Sequence, residues 1–103
     1  MSKTQELRTH VESFHVPATH PALPGHFPHA PVVPGVILLD RVAAALERAW
    51  AKRICALPQV KFLSPVLPDE HVQMNLIDDG RNVRFNIIRG DTTVASGLIE
   101  MAP

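Results

Sequence analysis

Six of the chain's ten prolines fall between positions 17 and 34, at Pro17, Pro21, Pro24, Pro28, Pro31 and Pro34, and this clustering excludes both helix and central strand from the stretch. Each proline fixes its own φ and pushes its predecessor out of helical geometry, so the segment reads as a rigid, irregular loop. Its length is unusual for a simple connector, and the apolar Phe27, Val32 and Val33 favour a packed, functional loop over a disordered linker. Such a path is expected to hold at least one cis or strained peptide between Gly25 and Pro34. At Gly35 the pattern changes abruptly to the apolar run Gly35-Val36-Ile37-Leu38-Leu39, which marks the start of a buried helix.

That helix is expected from about Pro34 or Gly35 to about Lys52 or Arg53, with proline at its first position and Arg48, Lys52 and Arg53 suited to its negative end. Val36 to Leu39 is apolar on every side, so the first half should be surrounded by protein. Val42, Ala43, Leu46, Ala49 and Trp50 form one stripe opposite Arg41, Arg48 and Lys52, so the second half should have one wet face. Strand patterns occupy residues 8–16, 60–64, 71–77, 82–88 and 92–101. The turns Asp78-Asp79-Gly80-Arg81 and Arg89-Gly90-Asp91 separate the last three. One buried helix followed by an antiparallel meander gives an α+β fold in which the sheet wraps the helix.

At 103 residues and 46% hydrophobic content the chain supports one domain, residues 1–103, and burial at this size leaves a margin that an oligomer interface would strengthen. Ten basic residues balance ten acidic ones with no polybasic run, which argues against nucleic acid or an anionic membrane as the main partner. Cys55 is the single cysteine, so no internal disulfide can form and a reducing, cytoplasmic setting fits. The polar beginning has no signal-like core, and no segment reaches the roughly 18 apolar residues of a membrane span.

Three groups around the loop-to-helix junction carry the chemistry. His26 sits on the rigid loop, and imidazole titrates near about pH 6.5, so it can take a proton at neutral pH. Asp40 lies among Val36, Ile37, Ala43 and Ala44, none of which can neutralise it, so its partner must come from elsewhere. Burial would favour its protonated form, as needed to protonate a leaving hydroxyl, while the helix N-terminus favours the anion. Pro34 has no N–H, which makes the Gly35 amide the first free donor at the helix start, placed to hold an oxygen that gains negative charge. His20, His26 and His29 offer no helical spacing and no fourth ligand, so no metal site is expected.

The run Gly25-His26-Phe27-Pro28, a short spacer, Pro31-Val32-Val33-Pro34-Gly35-Val36 and then Asp40 resembles the signature of the β-hydroxyacyl-acyl carrier protein dehydratases of the FabA/FabZ type. Here His26 and the acid are 40 − 26 = 14 positions apart, as in that family. A looser likeness continues through Val60-Lys61-Phe62 to Pro65-Val66-Leu67-Pro68-Asp69-Glu70, with Asp69 where glycine is usual. The resemblance implies a single hot-dog domain that eliminates water from a 3-hydroxyacyl thioester on acyl carrier protein, giving the trans-2-enoyl product. His26 would be the base, Asp40 the acid and the Gly35 amide the holder of the thioester oxygen. Phe27, Pro34, Val36 and Phe62 would line the substrate. It further implies no metal or redox cofactor, delivery by the carrier's phosphopantetheine arm, and a homodimer or higher assembly with composite active sites. Ala44 stands where the family commonly has glutamine one turn after the acid, which removes an orienting hydrogen bond. A hot-dog thioesterase and a non-catalytic acyl-binding protein are the rival readings.

Overall fold

The computed structural model describes residues 7–21, 23 and 32–103. Strand β1 (Arg8–Phe14) precedes helix α1 (Gly35–Trp50), and four strands follow: β2 (Ile54–Phe62), β3 (Val72–Asp78), β4 (Val83–Arg89) and β5 (Thr92–Met101). They form one antiparallel sheet in the order β1-β3-β4-β5-β2, so the meander β3-β4-β5 is central and β1 and β2 are its edges. Among the described residues, one helix against one five-stranded sheet is the expected α+β, hot-dog arrangement.

The alternation read from β3 and β4 places Val72, Met74, Leu76, Val83, Phe85 and Ile87 in the core, joined by Val94, Ala95 and Ile99 of β5. Helix α1 adds Ile37, Leu38, Val42, Ala45 and Leu46 to the same cluster. Gly97 of β5 is required by this packing. A methyl group there would lie 2.4 Å from both the Gln59 carbonyl oxygen and the Phe85 ring.

Three elements differ from expectation. The helix stops at Trp50, before Lys52, because Ala51 turns into the left-handed region (φ 53°). Its amide then donates to the Glu47 carbonyl at 3.0 Å, closing the last turn. Strand β2 begins six residues earlier than read, at Ile54 instead of Val60. Its first half is irregular, with register shifts on either side of Ala56, and Pro58 is accommodated because this strand is an edge. The first half of the helix is not enclosed on all sides: Ile37 and Leu38 are buried, but Val36 is 62% exposed and Asp40 is also exposed. An apolar run predicts burial all round, whereas a single layer of sheet can cover only one face of a helix.

The far end of the sheet is pinned by Asp78, the buried charged residue of the core, which accepts hydrogen bonds from the Arg8 guanidinium across the β1–β3 pair and from the Gly80 amide at 2.8 Å. Burial works against its charge, but these two donors and the positive charges of Arg8 and Lys52 outweigh it and hold the carboxyl below its usual range. A carboxylate depressed in the folded state stabilises the fold above its unfolded value and ceases to do so as pH falls through the folded one. Asp78→Asn is expected to cost about 1–2 kcal/mol at neutral pH, and the deficit should shrink below about pH 4. Thermal melts of both proteins across that range check it; a deficit of constant size down to strongly acid pH would contradict the assignment.

Candidate functional site

The N-terminus of α1 opens onto an apolar groove of about 670 Å³. One wall is the chain entering the helix, with Val32, Val33, Pro34, Gly35, Val36 and Leu38. The other is the end of β2 and the loop after it, with Phe62, Leu63, Ser64, Pro65 and Val66. Two contacts fix the spacing of the walls. The Phe62 ring lies against Gly35 so closely that a methyl on Gly35 would come within 2.5 Å of its Cζ. The Val33 amide donates to the Val66 carbonyl at 2.8 Å.

Among the described residues, no side chain caps the helix start that lines this groove. Pro34 occupies the cap position with φ −59° and ψ 142° and makes no side-chain cap hydrogen bond, and the first turn has no acidic residue. The Ile37 amide is taken by the Pro34 carbonyl at 3.0 Å. The amides of Gly35 and Val36 precede the first possible intrahelical bond, at a helix start that lines the groove and carries the positive end of the helix. A carbonyl oxygen gaining charge there would be stabilised. Gly35→Ala tests the arrangement. The Phe62 ring is 53% exposed and can swing aside, and alanine suits a helix better than glycine, so stability should change by less than about 1 kcal/mol. Binding of an acyl thioester should weaken by about tenfold or more, since the methyl occupies the space beside the amide. Calorimetric binding together with a melt checks both parts; unchanged binding would show that nothing approaches Gly35 closely.

Of the residues singled out from the sequence, the structure brings Gly35, Pro34, Val36 and Phe62 together on one groove. Asp40 is not part of the groove lining. It lies one helical turn beyond Val36 on the same exposed helix face, which continues through Ala44 and Glu47. His26, Phe27 and His29 lie outside the described residues, as does most of the segment expected to hold a strained peptide. Among the described residues no peptide bond is cis.

What the structure does define is how the His26-bearing segment is tethered. On its near side Val16 is buried, successive turns run from Pro17 to His20 and from His20 to Leu23, and Leu23 is in the core. On its far side Val33 is in the core. The loop between β2 and β3 reaches both sides. The Asp69 amide donates to the Val16 carbonyl at 2.8 Å, and the Asp69 carboxylate accepts from the Ala18 amide at 3.3 Å, while Val66 holds Val33. Asp69 has φ 68°, a left-handed conformation in which glycine is unstrained. The aspartate side chain offsets part of that cost with the bond to Ala18. The wall Leu63 to Val66 was signalled by its Ser-Pro-Val sequence, which sequence reasoning left without a role.

Comparison with known proteins gives a consistent result. Residues 2–98 match the family model described as ApeI-like, ApeI dehydratase. A curated relative, the 3-hydroxyacyl-[acyl-carrier-protein] dehydratase FabZ of Rhodopseudomonas palustris (strain TIE-1), is 28% identical over 98 residues covering 84% of this chain; the chain spans 65% of that relative's length. Among solved structures, the dehydratase heterocomplex ApeI:P from Xenorhabdus doucetiae superposes with a TM-score of 0.82 at 23% identity, covering 92% of this chain and 88% of the other. A variant of the fluoroacetyl-CoA-specific thioesterase FlK superposes with a TM-score of 0.65 at 20% identity, covering 99% and 87%. At these identities the two structures establish a shared fold.

Proposed function

The chain belongs to the ApeI-like dehydratase family, and from that membership we propose that it removes water from a 3-hydroxyacyl thioester carried on acyl carrier protein, leaving the trans-2-enoyl thioester. The observation that carries the proposal is the groove: an apolar channel for an acyl chain whose lining includes a helix start that no described side chain caps, where a thioester carbonyl would sit. The Gly35 amide holds the carbonyl oxygen, which acidifies the C2–H bond. His26 takes the C2 proton, the C–H electron pair forms the C2–C3 double bond, and the C3–O bond breaks. Asp40 delivers a proton to the departing hydroxyl directly or through one water. The proton gained by His26 and the one lost by Asp40 are then exchanged through solvent. The residues named need no metal or redox group for this sequence of steps.

Asp40 is exposed and does not line the groove of its own chain, and this supports a composite site in which the acid comes from a partner subunit. Val36, Phe62 and Leu63 are each more than half exposed beside the regular half of edge strand β2, which leaves an apolar surface and unpaired strand edge next to the Asp40 face. A second copy of the chain, related by two-fold symmetry, would cover both.

Offering the protein a 3-hydroxyacyl thioester on acyl carrier protein and identifying the products tests the reading. Dehydration yields an enoyl thioester with the thioester bond intact. Free acid and free thiol would identify a thioesterase, the activity named for one protein sharing this fold. Binding without either product would leave an acyl-binding protein.

A further inference from the structure

Arg89 is the last residue of β4, at a turn, with nothing in its sequence context to mark it. Its guanidinium nevertheless makes three contacts with the loop that walls the groove. Nη1 donates to the Pro65 carbonyl at 2.6 Å and to Glu70 Oε1 at 3.3 Å, and Nη2 donates to Ser64 Oγ at 3.2 Å. Glu70 Oε1 also accepts the Leu67 amide at 2.8 Å, so the loop is folded back on itself around the ion pair. Ser64 and Pro65 line the groove, whereas Arg89 does not. Arg89 therefore acts on the groove only through the loop.

Along one wall Phe62 lies against Gly35, and Ser64 and Pro65, which Arg89 holds, come two and three residues farther on, before Val66, whose carbonyl accepts the Val33 amide. At about 3.3 Å per extended residue, the two to three residues from Phe62 to Ser64 and Pro65 span roughly 7–10 Å, so an acyl chain whose carbonyl rests on the Gly35 amide and that runs along this wall reaches them with its distal carbons. We infer that Arg89 is a positioning residue that sets acyl-chain-length preference, by holding the Ser64–Pro65 part of the wall beyond the Gly35–Phe62 contact. The inference rests on the acyl-thioester reading of the site. The Glu70 partner adds specificity to the clamp: a guanidinium can reach a carbonyl, a hydroxyl and a carboxylate together, while an ammonium presents a single centre and keeps only part of the arrangement.

The test measures binding as well as turnover. Saturated butyryl and octanoyl pantetheine thioesters, which have no hydroxyl to lose, are titrated calorimetrically into the wild type, Arg89→Met and Arg89→Lys, with a melt of each. The octanoyl-over-butyryl affinity ratio is expected to fall by about tenfold in Arg89→Met and by less in Arg89→Lys. Equal weakening of both ligands would mean general loosening and would overturn the inference, as would an unchanged ratio. If Arg89→Met does not fold, Glu70→Gln decides, with a smaller fall in the same ratio expected and no fall counting against. A wild type that binds both thioesters but forms no enoyl product would remove the dehydratase reading and leave this inference to the ratio. A wild type that does not bind octanoyl thioester overturns it.

Discussion

His26→Ala and Asp40→Asn are each expected to lower turnover of a 3-hydroxyacyl thioester by about 10²-fold or more, the scale set by losing a general base or a general acid. The structure makes Asp40 a particularly clean test. It is exposed, has no hydrogen bond to another side chain among the described residues, and lies off the groove, so Asp40→Asn removes a proton donor without disturbing the core of its own chain. The melt should be unchanged while turnover falls. Circular dichroism with steady-state kinetics measures both quantities, and near-normal enoyl production by either folded variant would remove that residue from the mechanism. Ala44 sharpens the point. It sits one turn after Asp40 on the same exposed face and cannot orient a carboxyl, so whatever positions Asp40 must come from outside the helix.

A gain of activity is expected when two inactive variants are combined. If His26 of one subunit and Asp40 of another serve one substrate, His26→Ala and Asp40→Ala homodimers are both nearly inactive. A mixed dimer has one site lacking both groups and one site with both intact. With equal amounts and random exchange about half the dimers are mixed, each with one good site of two, so activity should recover to roughly one quarter of wild type. The exposed surface of Val36, Phe62 and Leu63 beside the Asp40 face supplies the physical reason for expecting such an interface, since a chain of this size buries a modest core alone. Exchange can be followed independently with differently tagged subunits. Demonstrated exchange without recovered activity would place His26 and Asp40 in one chain.

The central meander was legible because each strand carries one apolar face and the turns carry their own residues: Asp79-Gly80 between β3 and β4, Gly90 between β4 and β5. The Gly35 end of the helix was legible because proline and glycine punctuate it. Strand β2 was read short because its first half is irregular and contains Pro58, so local alternation fails where only pairing with β5 defines the strand. The helix faces were misjudged for a related reason. Val36 to Leu39 would be apolar on every side whether a sheet, a partner subunit or both provide the cover, and composition does not distinguish them.

In the site, Gly35 and Pro34 were legible from the signature around the helix start, whereas Phe62, in the looser likeness after it, reads from sequence more readily as core and is instead 53% exposed on the groove. Arg89 was not, because its role depends on a contact between a turn and a loop about twenty-five positions away, which no periodicity encodes. Asp69 is intermediate. Its place in a position that favours glycine was visible in the sequence, but the compensating bond to Ala18 depends on the fold bringing two loops together.

The most direct test of proton removal and water loss is to supply wild type and His26→Ala with a 3-hydroxyacyl thioester carrying two deuterons at C2, and to analyse the products by mass spectrometry. The wild type is expected to form an enoyl thioester that retains one deuteron at C2 and has lost the other, and His26→Ala is expected to return the substrate with both deuterons in place. Release of a free acid that keeps its hydroxyl and both deuterons, or enoyl formation by His26→Ala at the wild-type rate, would contradict the account.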